Sequence, residues 1–193
     1  MDTGFSGNSD QIKQLIRGMF EYLGENPQRE GLLETPTRVI KSWDKLFGGY
    51  NSSLDDCFKT FKEDNVIPYN QIILLKNIEF YSTCEHHLLP FFGKAHIAYI
   101  PSKKIVGISK LARILEHFSR RLQIQERIGN QVTESLVKRL EAKGAACIIE
   151  AQHFCMTSRG VEKQNSIMVT SSLTGCFLDQ VSTRQELMTL IKS

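Results

Sequence analysis

The stretch Thr83-Cys84-Glu85-His86-His87 brings a thiol, a carboxylate and two imidazoles into consecutive positions. Cys84 and His87 stand in C-x-x-H spacing, so a single turn can bring a sulfur and a ring nitrogen onto one ion. Donors of this kind suit Zn²⁺ better than Mg²⁺ or Ca²⁺. His86 is then left beside the metal, free to carry protons. The plain alternative is a free cysteine and two solvated histidines on a loop. A second group, His153-Phe154-Cys155, closes a strand-like run, and residues two apart on a strand share a face. By itself an H-x-C reads as a buried thiol and a satisfied core histidine. With Cys84 and His87 already unpaired, Cys155 is expected as the third ligand of a Cys-His-Cys set. Three protein ligands leave the fourth zinc position open, as catalytic sites require, and His153 is expected near the metal without binding it. His96 and His117 lack such neighbours and read as surface or core histidines.

Recognition of an anion needs donors. Ser109, Lys110 and Arg113 fall at the start of a helical pattern, where free N–H groups and the helix dipole favour negative charge. Arg159 follows Cys155 by four residues, in Ser158-Arg159-Gly160. These groups could clamp a polyphosphate, with arginine binding bidentately; singly, each could be a solvated charge. Lys41 lies off the apolar stripe of its helix and reads as solvated or aimed at an anion. Gln125 and Glu126 open a further helix. A carboxylate there could accept two N–H bonds from a guanine edge, although acids are common at helix starts for the dipole alone.

The elements that must position these groups can be read in outline. At 193 residues and 41% hydrophobic, the chain is long enough for one sizeable core. A net charge of +3 argues against nucleic acid as a bulk electrostatic partner. The five cysteines, the absence of a secretory signal and the absence of a long apolar run predict a reducing compartment without membrane insertion. Met1 to Ser9 are small and polar and are expected to fray. Ile12, Leu15, Ile16, Phe20 and Leu23 follow helical spacing, ended by Asn26-Pro27. Thr35 as N-cap and Pro36 at the first helical position open a second helix lined by Val39, Ile40, Trp43, Leu46 and Phe47 and stopped at Gly48-Gly49. Asn51 to Asn70 is a polar connection. Strands are predicted over Gln71 to Tyr81 and Lys94 to Ile100, with Cys-Glu-His-His on the connection between them. Helices follow over Ile108 to Phe118 and Gln125 to Leu140, the latter ended by Gly144. Two more strands, Ala145 to Cys155 and Ser166 to Phe177, precede a short helix from Thr183 to Ile191. Strands grouped in pairs predict an antiparallel α+β fold with exposed edges rather than a doubly wound sheet. The expected division is a helical segment over residues 1–50 and a catalytic domain over 51–193.

Several motifs occur in order: Glu34-Thr35-Pro36-x-Arg38-Val39, Cys-Glu-His-His, Gly107 to Arg113 (Gly-Ile-Ser-Lys-Leu-Ala-Arg), Gln123 to Arg127 (Gln-x-Gln-Glu-Arg) and His153 to Val161 (His-x-Cys-Met-x-x-Arg-Gly-Val). In these the chain resembles GTP cyclohydrolase I of the zinc-dependent type, from about the first helix to the C-terminus. One departure is Leu122, where many relatives carry proline. The resemblance implies a tunnelling fold: a four-stranded antiparallel sheet, two helices between the strand pairs and an N-terminal helical hairpin. It implies a cytoplasmic homodecamer of two stacked pentamers with sites at subunit contacts. It also implies hydrolysis of GTP at C8, with formate released and 7,8-dihydroneopterin triphosphate formed. On that resemblance Cys84, His87 and Cys155 bind zinc, whose activated water attacks C8. His86 protonates N7, and His153 assists opening of the ribose. Glu126 reads the guanine N1 and N2 protons with Gln125 beside it, and Lys41, Ser109, Lys110, Arg113 and Arg159 hold the triphosphate. Two other readings are a nitrile reductase of the same fold acting on a deazapurine and a zinc-stabilised binding module without catalysis. The module would want a fourth ligand, for which His86, His153 or Cys147 could be proposed.

Overall fold

In the computed structural model, residues 5, 7–58 and 69–193 are described. Residues 1–4 and 6 of the expected frayed segment, and 59–68 of the connection before the first strand, lie outside the described residues. Helix α1 (Ser9–Tyr22) begins one residue before the expected Asp10, because the Asn8 side chain accepts from the Asp10 and Gln11 N–H groups. A short α2 (Glu30–Leu33), unforeseen in the sequence, runs almost directly into α3 (Thr35–Leu46). Thr35 is therefore the first helical residue and not the cap. Its hydroxyl donates to the Gly31 carbonyl, and Pro36 sits one position further in. Ile16, Phe20 and Ile40 join these helices in a small cluster with Ile12, Leu32, Val39 and Trp43.

After a 3₁₀ turn (Gly48–Tyr50) and α4 (Leu54–Cys57), the chain enters the sheet. Strand β1 (Ile73–Cys84) pairs antiparallel with β2 (Pro90–Ile100). Helix α5 (Ile108–Ser119) leads to a two-residue β3 (Leu122–Gln123), and α6 (Gln125–Leu140) leads to β4 (Gly144–His153). A four-residue α7 (Phe154–Thr157), β5 (Met168–Gly175), α8 (Cys176–Asp179) and α9 (Val181–Lys192) complete the chain. The strand order is β3-β1-β2-β4-β5. The four long strands are antiparallel, as expected; the fifth strand, β3, pairs parallel with Thr83 and Cys84. The expected α+β arrangement, with two helices between the strand pairs, is present.

Several predicted boundaries move. β1 runs through Cys84 and β2 starts at Pro90, which the first position of a strand tolerates. The loop between them is therefore only Glu85 to Leu89. Gly144 opens β4 rather than ending α6, which stops at Glu141 in a left-handed conformation. β4 ends at His153, so Cys155 lies on the helical turn α7 and not on the strand.

One face of the sheet packs on α5 and α6 through Phe80, Phe91, Ile97, Tyr99, Leu115 and Ile149. Phe177 and Leu187, from α8 and α9, cover Ala98, Ala146 and Ile148 on the other face. All five cysteines are free. Among the described residues no helix is long and apolar enough to cross a membrane.

Candidate active site

Cys84 ends β1 at the tip of the β1–β2 hairpin. Its N–H donates to the Leu89 carbonyl at 2.8 Å and its carbonyl accepts from the Leu88 N–H at 2.9 Å. Leu88 takes a positive φ of 55° to close this turn. The Glu85 N–H donates to the Gln123 carbonyl of β3 at 3.0 Å, which places the start of α6 beside the hairpin tip. Arg127, in the first turn of α6, then grips Glu85 with both terminal guanidinium nitrogens, at 2.5 and 3.0 Å. Arg127 holds the Glu85 carboxyl below its ordinary range. Fixed in this way, the turn presents His86 and His87 to solvent.

The ligand atoms of Cys84, His87 and Cys155 all lie within 4.8 Å of one another. Cys84 is buried, Cys155 half-buried and His87 exposed, and His87 Nδ1 stands 3.7 Å from Cys84 Sγ. Burial raises the Cys155 thiol, and the adjacent Cys84 adds to it. Two thiols pressed together beside an imidazole make a donor set that a soft cation fits. Cys147 is not part of it. That thiol lies in the main core, where burial pushes it up to about 12.

His153 ends β4 with its ring stacked on the fully buried Phe91, centroids 4.5 Å apart and planes at 5°. Its Nε2 lies 2.8 Å from Gln125 Oε1. Burial lowers its pKa, with Glu126 opposing. Glu126 is exposed and lines a cleft with Gly129, Asn130 and residues 170–172 of β5. Arg159 places a guanidinium nitrogen 2.8 Å from His87 Nε2. The structure thus gathers Cys84, His86, His87, His153, Cys155, Arg159, Gln125 and Glu126 at one end of the sheet.

The other anion-binding candidates lie elsewhere. Ser109 and Lys110 start α5, a 12-residue helix about 18 Å long that returns toward β3, so they stand at the end of the helix away from β3. Lys110 Nζ donates to the Asp56 carbonyl at 2.7 Å. Arg113 is exposed in a cleft with Lys45, Ser52, Glu116 and Arg120, and Lys41 is exposed on α3. Among the residues overlooked in the sequence, Arg127 matters most. The signal available was the four-residue spacing from Gln123 to Arg127, whose side chains meet at 3.3 Å, but its carboxylate partner is distant in sequence.

The model of the GTP cyclohydrolase I family matches residues 12–192. The chain belongs to the GTP cyclohydrolase I family. It is 52% identical over 177 residues to a GTP cyclohydrolase 1 of Wolinella succinogenes, covering 92% of this chain and 94% of the relative. It is 50% identical over 188 residues to that of Campylobacter lari, covering 95% and 96%. A solved archaeosine synthase QueF-like structure overlaps at a TM-score of 0.44, with 12% identity, over 54% of this chain and 94% of that one. The fold is the tunnelling fold of the family, and the chain is an enzyme with GTP cyclohydrolase I activity, hydrolysing GTP.

Proposed function

We propose that Cys84, His87 and Cys155 hold a zinc ion, about which GTP is hydrolysed at C8 to give formate and 7,8-dihydroneopterin triphosphate, the entry to tetrahydrofolate and pterin synthesis. The observation that carries this is the convergence of two sulfurs and one imidazole within 4.8 Å, next to two histidines that are not part of the set. When bound, zinc supplies a Lewis acid able to activate water near neutral pH. The chain's own residues do the rest. His86, exposed beside the ligands, delivers a proton to N7. His153 moves protons during opening of the ribose. Glu126 accepts from guanine N1–H and the N2 amine, with Gln125 behind it at the same helix start. Arg159, Lys41, Ser109, Lys110 and Arg113 hold the triphosphate.

The distance along α5 supports a site shared between copies, with the α5 donors of one chain serving the cysteines of another. The outer edge of β5, and that of β1 beyond Thr83–Cys84, carry no strand partner among the described residues. Such edges favour closure by identical chains, which we assign as a cytoplasmic homodecamer of two pentamers. Residues 1–50 form its helical segment and 51–193 its catalytic domain.

The test compares three variants for bound zinc and for formate released from GTP. Cys155→Ser and His87→Ala lose zinc and activity together. His86→Ala keeps zinc and loses ~10²–10⁴-fold in turnover. Full zinc occupancy in Cys155→Ser would break the ligand assignment, and loss of zinc in His86→Ala would reverse the roles of the two histidines.

A further inference from the structure

Gln125 is 1% exposed, and its amide is committed on every side. Its Nε2 lies 3.1 Å from the Ile149 carbonyl, 3.1 Å from the Met168 carbonyl and 3.0 Å from Thr170 Oγ1. Backbone carbonyls can only accept, so the amide nitrogen must face them and the amide oxygen must face the other way. That oxygen meets His153 Nε2 at 2.8 Å. A carbonyl oxygen can only accept, so Nε2 must carry the hydrogen. The orientation of the amide and the tautomer of the ring both follow from donor and acceptor chemistry, without a hydrogen being seen.

We propose that Gln125 is a positioning residue that holds the His153 ring in its Nε2–H tautomer and in one orientation, with Nε2 turned to the amide oxygen and Nδ1 turned away from it. This rests on the role given to His153 above. The Phe91 ring, lying parallel against the imidazole, opposes rotation as well. Both amide hydrogens of Gln125 are used by acceptors on β4 and β5, so none is left to bind a purine. In this respect Gln125 differs from its neighbour Glu126, which is exposed to the cleft.

Two measurements test this. Solid-state ¹⁵N spectra of the zinc-loaded enzyme, labelled at histidine and assigned by difference against His153→Ala, are expected to show His153 with a protonated Nε2 and an unprotonated Nδ1 near neutral pH. A protonated Nδ1 with a bare Nε2 would overturn the proposal whether or not any variant folds. In steady-state kinetics Gln125→Met, checked for zinc content and circular dichroism, should lose at least about tenfold in kcat with little change in KM for GTP. It should cost nothing further when added to His153→Ala, because residues acting as one unit are not additive. A raised KM with unchanged kcat, or losses that multiply in the double variant, would make Gln125 an independent substrate contact and overturn the proposal. A His153→Ala enzyme with full turnover would instead remove His153 from catalysis, and the nitrogen spectrum alone would then decide whether Gln125 sets the tautomer.

Discussion

The helical pair α1–α3 and the sheet body use the same kinds of residue to different effect. In the body, Phe91, Ile97, Leu115 and Ile149 are completely covered by strands on one side and by α5 or α6 on the other. In the pair, Ile16, Phe20 and Ile40 are covered, but Leu15 is 69% exposed, Leu23 66% and Tyr22 89%. Both regions show apolar residues at helical spacing. The difference is the number of partner surfaces each helix meets. A helix on a sheet buries a broad stripe, whereas two helices side by side bury a narrow one. The body can therefore fix the side chains at its end in place, while the pair leaves apolar surface exposed.

The largest expected effect that tests this contrast is on stability. Leu115→Ala removes a fully buried side chain and should cost about 2–5 kcal/mol. Ile16→Ala, in the thinner cluster, should fall at or below the low end of that range. Denaturant unfolding at one fixed protein concentration compares them. Equal losses would mean that the pair is packed as firmly as the body.

A smaller effect sharpens the contrast where the two regions meet. His117, on α5, is buried with Nδ1 2.6 Å from Ser52 Oγ and Nε2 2.7 Å from an Arg121 nitrogen. The same Arg121 nitrogen donates to the Gly49 carbonyl at 2.8 Å. Nε2 accepts from Arg121, so a neutral ring donates through Nδ1 to Ser52, and protonation would set a cation against the guanidinium. Burial first, and Arg121 second, lower His117 from 6.5 to about 4. The folded pKa is depressed, so the unfolded chain binds the extra proton. The stabilisation from a neutral His117 is therefore complete above about pH 6.5 and is lost as pH falls toward 4, by at most ~3 kcal/mol. Thermal midpoints taken from pH 7 to 4.5 should fall more steeply for the native chain than for His117→Asn. Parallel slopes would show that this histidine does not control the junction.

The smallest effect concerns the exposed face of the pair. Leu15→Gln should change the unfolding free energy of a single chain by no more than about 0.5 kcal/mol. If a second copy covers this face, the same change reduces the size of the assembly measured by light scattering. An unchanged assembly would leave Leu15 outside any contact between copies.

Much of this molecule was determined by the sequence alone, because the relevant signals lie close together along the chain. The periodicity of α5 and α6, the grouping of strands in pairs and the C-x-x-H turn are each set by residues within a few positions of one another. Other features depended on the tertiary structure, and the reason in each case is separation. Cys155 joins Cys84 although it lies on a helical turn and not on the predicted strand, because β2 pairs with both β1 and β4 and brings their ends together. Arg127 finds Glu85 across 42 positions. Gln125 was legible as a polar residue at a helix start. Only the packing of that start against the ends of β4 and β5 turned its amide inward to His153, 28 positions away. Local pattern decides which elements form. Which polar groups face each other in the interior is decided by how the elements pack, because a buried donor must find an acceptor wherever the fold has placed one.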